Sequence, residues 1–366
     1  MMAQTPFSRR DFLSTLASSG AGIGLSQAVP ADGAAHPHRA AGAPLADDQP
    51  IPVICTEKLS AAEAGQIRQA SPRVALHFLG EKGAEARLAE ARVILGRVDA
   101  DLLRAAKQLQ WVQNWGAGVE NLPRELFQHP CVLTNMQRVF APVIAETAIG
   151  LLLSLTRGLA QVSIPAFAAR QWRAAPSGVP LDDLYGKTVG MVGMGGIGSE
   201  TARRLHYGFG MRVLATEPKP LPKPEYVAEL REPGWLMEMV PQVDVLMSAA
   251  PLTPETRHLF NAAVFRKMKP TAYFINVTRG GLVDQDALVK ALQEKWFRGA
   301  GLDVATPEPL PADSPLWSCP NLVITPHNSG NAPVRQVRLM ALVTENVRRY
   351  CNGLPLLNVV DKQKGY

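Results

Sequence analysis

The chain has little of what several protein classes require. Cysteine is scarce: Cys55, Cys131, Cys319 and Cys351 are irregularly spaced over 366 residues, and none forms a Cys-x-x-Cys. That excludes a disulfide-framework fold and leaves no Cys/His cluster at zinc-site spacing, so no metal is expected. Charged residues are sparse at 19%, and no block of like charge occurs. The net charge of +6 is spread along the chain, which reads as solubility and not as a nucleic-acid footprint. No run of about 18 strongly apolar residues is present, against a conventional membrane span. What is abundant is apolar residue in short runs, 46% of the chain, enough for two cores.

The first fifty residues read as an address. Ser8-Arg9-Arg10-Asp11-Phe12-Leu13 precedes an uncharged, mildly hydrophobic stretch at 12–31 that is rich in Ala, Ser and Gly. Paired arginines, a Phe-Leu and a weakly apolar segment in this order resemble a bacterial twin-arginine export signal. Small residues suited to cleavage occur at Ser26-Gln27-Ala28 and at Ala41-Gly42-Ala43. Residues 1–43 are therefore expected to be signal and linker, and the twin-arginine export machinery a partner. The expected location is periplasmic, or cytoplasmic if the signal is not used.

From Ile51 onward short apolar runs alternate with helical patterns, the signature of parallel sheets wrapped by helices. Early strand candidates are 51–55, 92–95 and 111–114, followed by a long, buried helical pattern at 143–160. A second alternating set offers six strands at 188–192, 212–216, 243–248, 272–277, 299–303 and 322–325. Six strands with a glycine-rich turn after the first suit a doubly wound dinucleotide fold.

That turn is Gly193-Met194-Gly195-Gly196-Ile197-Gly198. A lone G-x-G-x-x-G is weak, but this one follows an apolar run and opens a helical segment, the context the motif requires. Gly193 permits the tight turn, Gly195 lets backbone approach a pyrophosphate, and Gly198 lets helix and strand pack closely. Glu217 closes the next strand, where a carboxylate takes both ribose hydroxyls and repels a 2′-phosphate. NAD is therefore the expected cofactor; Lys219 nearby keeps NADP open.

Three more residues follow strand ends, where ligands bind in such sheets. Arg279 stands in Asn276-Val277-Thr278-Arg279-Gly280-Gly281, Glu308 in Ala305-Thr306-Pro307-Glu308-Pro309, and His327 closes Thr325-Pro326-His327. Singly each is an ordinary surface or structural residue; in this order behind a dinucleotide fingerprint they form a candidate catalytic set. His36, His38, His77, His129, His206 and His258 have no such setting.

At these motifs the sequence resembles the D-isomer-specific 2-hydroxyacid dehydrogenases, from Ile51 to Val360. The resemblance implies hydride transfer between a nicotinamide cofactor and a small 2-keto or 2-hydroxy acid. Arg279 would grip the substrate carboxylate and keto oxygen with its planar fork of donors, and His327 would exchange a proton with that oxygen. Glu308 would hold the imidazole; formate-oxidising relatives carry Gln there. Ala117, Gly118 and Val119 would offer backbone N–H groups to the carboxylate. Asp303 would face the nicotinamide carboxamide. Thr147, Pro251, Thr256, Ile197, Gly196, Val277 and Thr278 would line the cofactor cleft.

The implied architecture is α/β: a Rossmann dinucleotide domain at 158–327 inserted into a flavodoxin-like substrate domain made of 51–157 and a return at 328–360. A homodimer is also implied, through the cofactor domain and the helix near 143–160. Many relatives have Gly where this chain has Arg138, which reads either as a reader of a second acidic group on the substrate or, preferably, as a surface ion pair. Two other functions remain in view: a dinucleotide-binding protein without turnover, and a dehydrogenase for another substrate such as phosphite. The intact Arg279, Glu308 and His327 argue against the first, and a phosphite assay discriminates the second.

Overall fold

Two parallel sheets organise the molecule, each built from strands that are apolar on both faces because helices cover both sides. A computed structural model describes residues 49–81, 83–172 and 181–366, which fall in one unit, Arg39–Tyr366. The segment expected to be an export signal lies outside the described residues. The first sheet has β1 (Ile51–Cys55), β2 (Val74–Phe78), β3 (Val93–Leu95), β4 (Trp111–Gln113) and β5 (Val132–Thr134), in the order β2-β1-β3-β4-β5. That is the flavodoxin-like order.

The second sheet holds seven strands: β6 (Thr188–Val192), β7 (Arg212–Thr216), β8 (Glu229–Arg231), β9 (Val245–Ser248), β10 (Tyr273–Asn276), β11 (Gly299–Leu302) and β12 (Leu322–Ile324). Its order, β12-β11-β10-β9-β6-β7-β8, is the doubly wound dinucleotide arrangement with one strand added beyond the sixth. The sequence predicts six and misses the opposite edge strand, β8, which carries Glu229 and Arg231 and has no apolar run to announce it. β9 starts two residues later than predicted. Asp244, just before it, accepts the Thr188 N–H (2.9 Å) and pairs with Lys269 (2.9 Å) instead of continuing the apolar strand.

Five helices have nine residues or more: α1 (Ala61–Gln69), α2 (Ala141–Thr156), α3 (Gly196–Phe209), α4 (Gln285–Gln293) and α5 (Arg335–Cys351). The helix predicted to run to 160 ends at Thr156, because Gly158 turns left-handed at φ 64°. A short π-helical turn and the helix Ile164–Ala168 follow. No single described helix is long and apolar enough to cross a membrane. α2 buries Ala148, Leu151, Leu152 and Leu155 in the second sheet's core and packs along α3.

The return α5 sets Leu339, Val343 and Val347 into the first sheet's core beside Ile51, Val53 and Trp111. Its fully buried Asn346 donates to Gln113 Oε1 (2.9 Å) and Leu357 O (3.1 Å), and accepts the Leu357 N–H (2.8 Å). Gln113 Oε1 also accepts from Thr134 (2.8 Å). A satisfied polar network thus ties the return to β4 and β5 inside an apolar core.

Candidate active site

The dinucleotide turn leaves β6 at Gly193, whose φ of 99° side chains avoid. A Cβ there would stand 2.8 Å from the Ala249 carbonyl, at the point where the sheet order reverses between β6 and β9. A Cβ at Gly198 would fall on the Gly193 carbonyl oxygen, so only glycine lets α3 lie this close to its strand. At Gly195 a Cβ meets nothing within 4 Å, so the backbone faces open space. α3 starts at Gly196 without a side-chain cap, which leaves its first N–H groups to an anion. This cradle fits a dinucleotide pyrophosphate.

Glu217 is buried and is already hydrogen-bonded to backbone. Its Oε2 accepts the Met194 N–H (2.7 Å) and its Oε1 the Lys219 N–H (3.2 Å), tying the glycine turn to the end of β7. About two of its four acceptor positions remain for hydroxyls. Lys219 Nζ lies 4.4 Å from the ring centroid of Tyr366. Burial lowers the Lys219 pKa against the pull of Glu217, and the charges of Lys364 and Arg138 lower it further.

Arg138 has a left-handed backbone, φ 70°, a conformation that favours glycine. The expected surface ion pair is not what the structure shows. Arg138 has its Cα and Cγ 2.9 Å from where a Cβ of Gly196 would be, and it makes no ion pair among the described residues. It packs on the glycine turn. Ile197 is part-buried in the core between α3 and the sheet. Thr147 stands on α2, its hydroxyl donating back to Val143 O (3.4 Å). Thr256 closes a local turn by donating to Pro251 O (2.7 Å). Val277 and Thr278 are buried after β10, with Thr278 Oγ1 3.1 Å from Ser248 Oγ.

The catalytic candidates come together through backbone contacts. Asn276 Nδ2 donates to Arg279 O (2.9 Å), and Arg279 Nη1 donates to Thr278 O (2.7 Å). Gly280 lies directly on Ala305, its notional Cβ 2.6 Å from Thr306 Oγ1, which joins the Arg279 turn to the Glu308 loop. Glu308 Oε1 accepts the Ala305 N–H (3.0 Å) and Oε2 lies 2.6 Å from His327 Nδ1. A carboxylate only accepts, so Nδ1 carries the proton and Nε2 is left to exchange one elsewhere. Both side chains are partly exposed, 45% for His327 and 36% for Glu308, so the pair can exchange protons with solvent.

His327 itself is left-handed, φ 49°, a conformation that persists where neighbours over-determine it. Its N–H donates to Asp303 O (2.8 Å). The fully buried Asp303 carboxylate accepts from Thr325 Oγ1 (2.6 Å), Asn328 N (3.1 Å) and Ser329 N (3.0 Å). Asp303 is thus the anchor of the His327 turn, with about one acceptor position left over.

Across from these stands the loop after β4. Asn114 Nδ2 donates to Gly116 O (3.1 Å) and Gly118 O (3.0 Å), and Asn135 Nδ2 to Ala117 O (2.6 Å). Val119 is buried, and its side chain anchors the loop in the core. Next to it is a residue the sequence reading missed: Glu120 forms an ion pair with Arg279 Nε. Its only sequence signal is an acid two positions beyond Gly118.

Residues 149–329 match the model of the D-isomer specific 2-hydroxyacid dehydrogenase NAD binding domain. A glyoxylate reductase of Korarchaeum cryptofilum is 34% identical over 270 residues, 73% of this chain and 80% of that protein. The chain belongs to the D-isomer-specific 2-hydroxyacid dehydrogenase family. It is an NAD(P)-dependent oxidoreductase of 2-keto and 2-hydroxy acids. A glyoxylate/hydroxypyruvate reductase B of Klebsiella pneumoniae is 35% identical over 279 residues, 75% of this chain and 86% of that one. Among solved structures, a family member from Xanthobacter autotrophicus in complex with NADPH and MES superimposes with a TM-score of 0.72. It is 27% identical, over 87% of this chain and 100% of that one.

Proposed function

We propose that this dehydrogenase reduces a small 2-keto acid to the D-2-hydroxy acid and runs the reverse oxidation at the same residues. The observation that carries the proposal is the 2.6 Å contact of Glu308 with His327 Nδ1, beside the Arg279 turn. The bound nicotinamide supplies or takes the hydride. Arg279 holds the carboxylate and polarises the keto oxygen, together with the N–H groups of Gly118 and Val119. His327 gives that oxygen a proton from Nε2 as the carbon is reduced, and takes it back in the oxidation. Glu308 fixes the tautomer and steadies the imidazolium, and the remaining acceptor position of Asp303 serves the carboxamide.

The relatives' names favour glyoxylate or hydroxypyruvate as first substrates to try. His327→Ala should cut turnover about 100- to 10,000-fold while a fluorescence titration shows unchanged binding of reduced cofactor. Equal loss of binding contradicts the assignment.

The reading takes residues 51–157 and 328–360 as substrate domain and 158–327 as dinucleotide domain. It takes NAD as the preferred cofactor, because Glu217 is a buried carboxylate beside the ribose position while Lys219 is held against Tyr366. Arg9 and Arg10 with the uncharged stretch after them support export of the folded, cofactor-loaded protein to the periplasm. Replacing both arginines by lysine should retain the protein in the cytoplasm; unchanged fractionation removes the signal from the account. Ile164, Phe167, Trp172 and Tyr185 are exposed at 63%, 86%, 106% and 82%, large apolar side chains in solvent that suit a homodimer.

A further inference from the structure

We propose that Glu120 is a built-in substitute for the substrate carboxylate, a latch that holds Arg279 over the Gly118 backbone until substrate displaces it. The inference rests on the reading above, in which Arg279 and the backbone of Gly118 and Val119 form the carboxylate subsite.

Three observations place the Glu120 carboxylate on that donor set. Arg279 Nε donates to Glu120 Oε1, and the pair is about 30% exposed on each side, 30% for Arg279 and 28% for Glu120. A side chain on Gly118 would fall on both Arg279 Nη2 and the Glu120 carboxylate, with Glu120 Oε1 2.7 Å from its Cβ. The guanidinium and the carboxylate therefore meet directly over the Gly118 backbone. Burial alone would raise the Glu120 pKa, but the charge and hydrogen bond of Arg279 and the N–H groups of Glu120 and Val119 hold it below the usual carboxylate range. Glu120 is thus ionised at neutral pH, and it occupies the guanidinium assigned to substrate.

The contact joins a loop of the first sheet to a strand end of the second, so it also bridges the cleft. The physical consequence is competition between two carboxylates. A monocarboxylate substrate cannot share the guanidinium edge over Gly118 with Glu120, and two anions side by side repel. Binding therefore exchanges one carboxylate for another, and Glu120 swings away as substrate enters. The apparent affinity is reduced by the fraction of molecules in which the latch is engaged: a latch closed nine times in ten costs about tenfold. In return Arg279 keeps its ionic partner and its position between turnovers.

The test compares Glu120→Gln with wild type. Glutamine keeps the size and removes the charge. KM for the keto acid should fall about three- to tenfold, with a parallel fall in the inhibition constant of oxamate, a carboxylate that accepts no hydride. Both changes should exceed any change in kcat. A raised or unchanged KM and inhibition constant would overturn the proposal: a rise identifies Glu120 as a buttress of Arg279 in the substrate complex. Thermal unfolding of the variant guards against misfolding, and Glu120→Ala, which removes the acceptor entirely, should shift both constants in the same direction. Arg279→Lys is the separate control. If it leaves KM and oxamate inhibition intact, the carboxylate subsite is misassigned, an outcome distinct from failure of the latch.

Discussion

At the residue scale the chemistry rests on pairings that spacing along the chain does not reveal. Arg279, Glu308 and His327 are legible because each follows a strand end in a familiar order. Glu120 is not, because its meaning depends on a partner far along the chain. The ion pair expected of Arg138 is absent among the described residues for a related reason: its left-handed backbone and its contact with Gly196 are properties of the turn, not of its charge.

Two predictions belong here. Arg279→Lys keeps the charge but loses the planar fork; kcat/KM for the keto acid should fall at least about tenfold, worth 1.4 kcal/mol. Activity within twofold of wild type would remove the fork from the account. Glu217→Ala should narrow the preference for NADH over NADPH in kcat/KM. It should also loosen the glycine turn, since the Met194 N–H loses its 2.7 Å acceptor. An unchanged cofactor ratio would take Glu217 out of cofactor selection.

At the element scale, strands buried on both faces announce themselves as apolar runs, and so β1, β6 and β7 begin and end where the sequence places them. β8 is an edge strand flanked by charge, with nothing apolar to repeat, and escapes notice. The end of α2 is set by one glycine that looks innocuous in a helical pattern, but whose left-handed φ stops the helix. The return helix α5 is held by the buried Asn346 network as well as by its apolar face. Asn346→Ala leaves the half-buried Leu357 N–H and C=O without their partner and removes one of the two donors to Gln113 Oε1, at about 1–3 kcal/mol per group left unpaired. Denaturant unfolding should show a loss of at least about 2 kcal/mol; a loss below half that would mean water or rearranged side chains satisfy the network.

At the scale of the whole molecule, the doubly wound order puts Gly193, Glu217, Arg279, Glu308 and His327 after the carboxyl ends of parallel strands in one sheet. The loop after β4 brings Gly118, Val119 and Glu120 to the same place from the other. A substrate held between two sheets is shielded from water when they close, which favours hydride transfer over side reactions. The homodimer proposed above is tested at this scale: Trp172→Glu with Phe167→Glu should convert a dimer to monomers in analytical ultracentrifugation, while a wild-type protein that is already monomeric would refute the homodimer.

The most direct test of the central claim is a spectrophotometric screen of the mature protein. It pairs NADH and NADPH separately with glyoxylate, hydroxypyruvate, pyruvate, longer 2-keto acids and, in the oxidative direction, phosphite. The account predicts consumption of reduced cofactor, NADH in preference, with at least one small keto acid, and a D-configured product wherever the product is chiral. Silence across the keto acids from folded protein that binds nicotinamide, or turnover with phosphite alone, would contradict it.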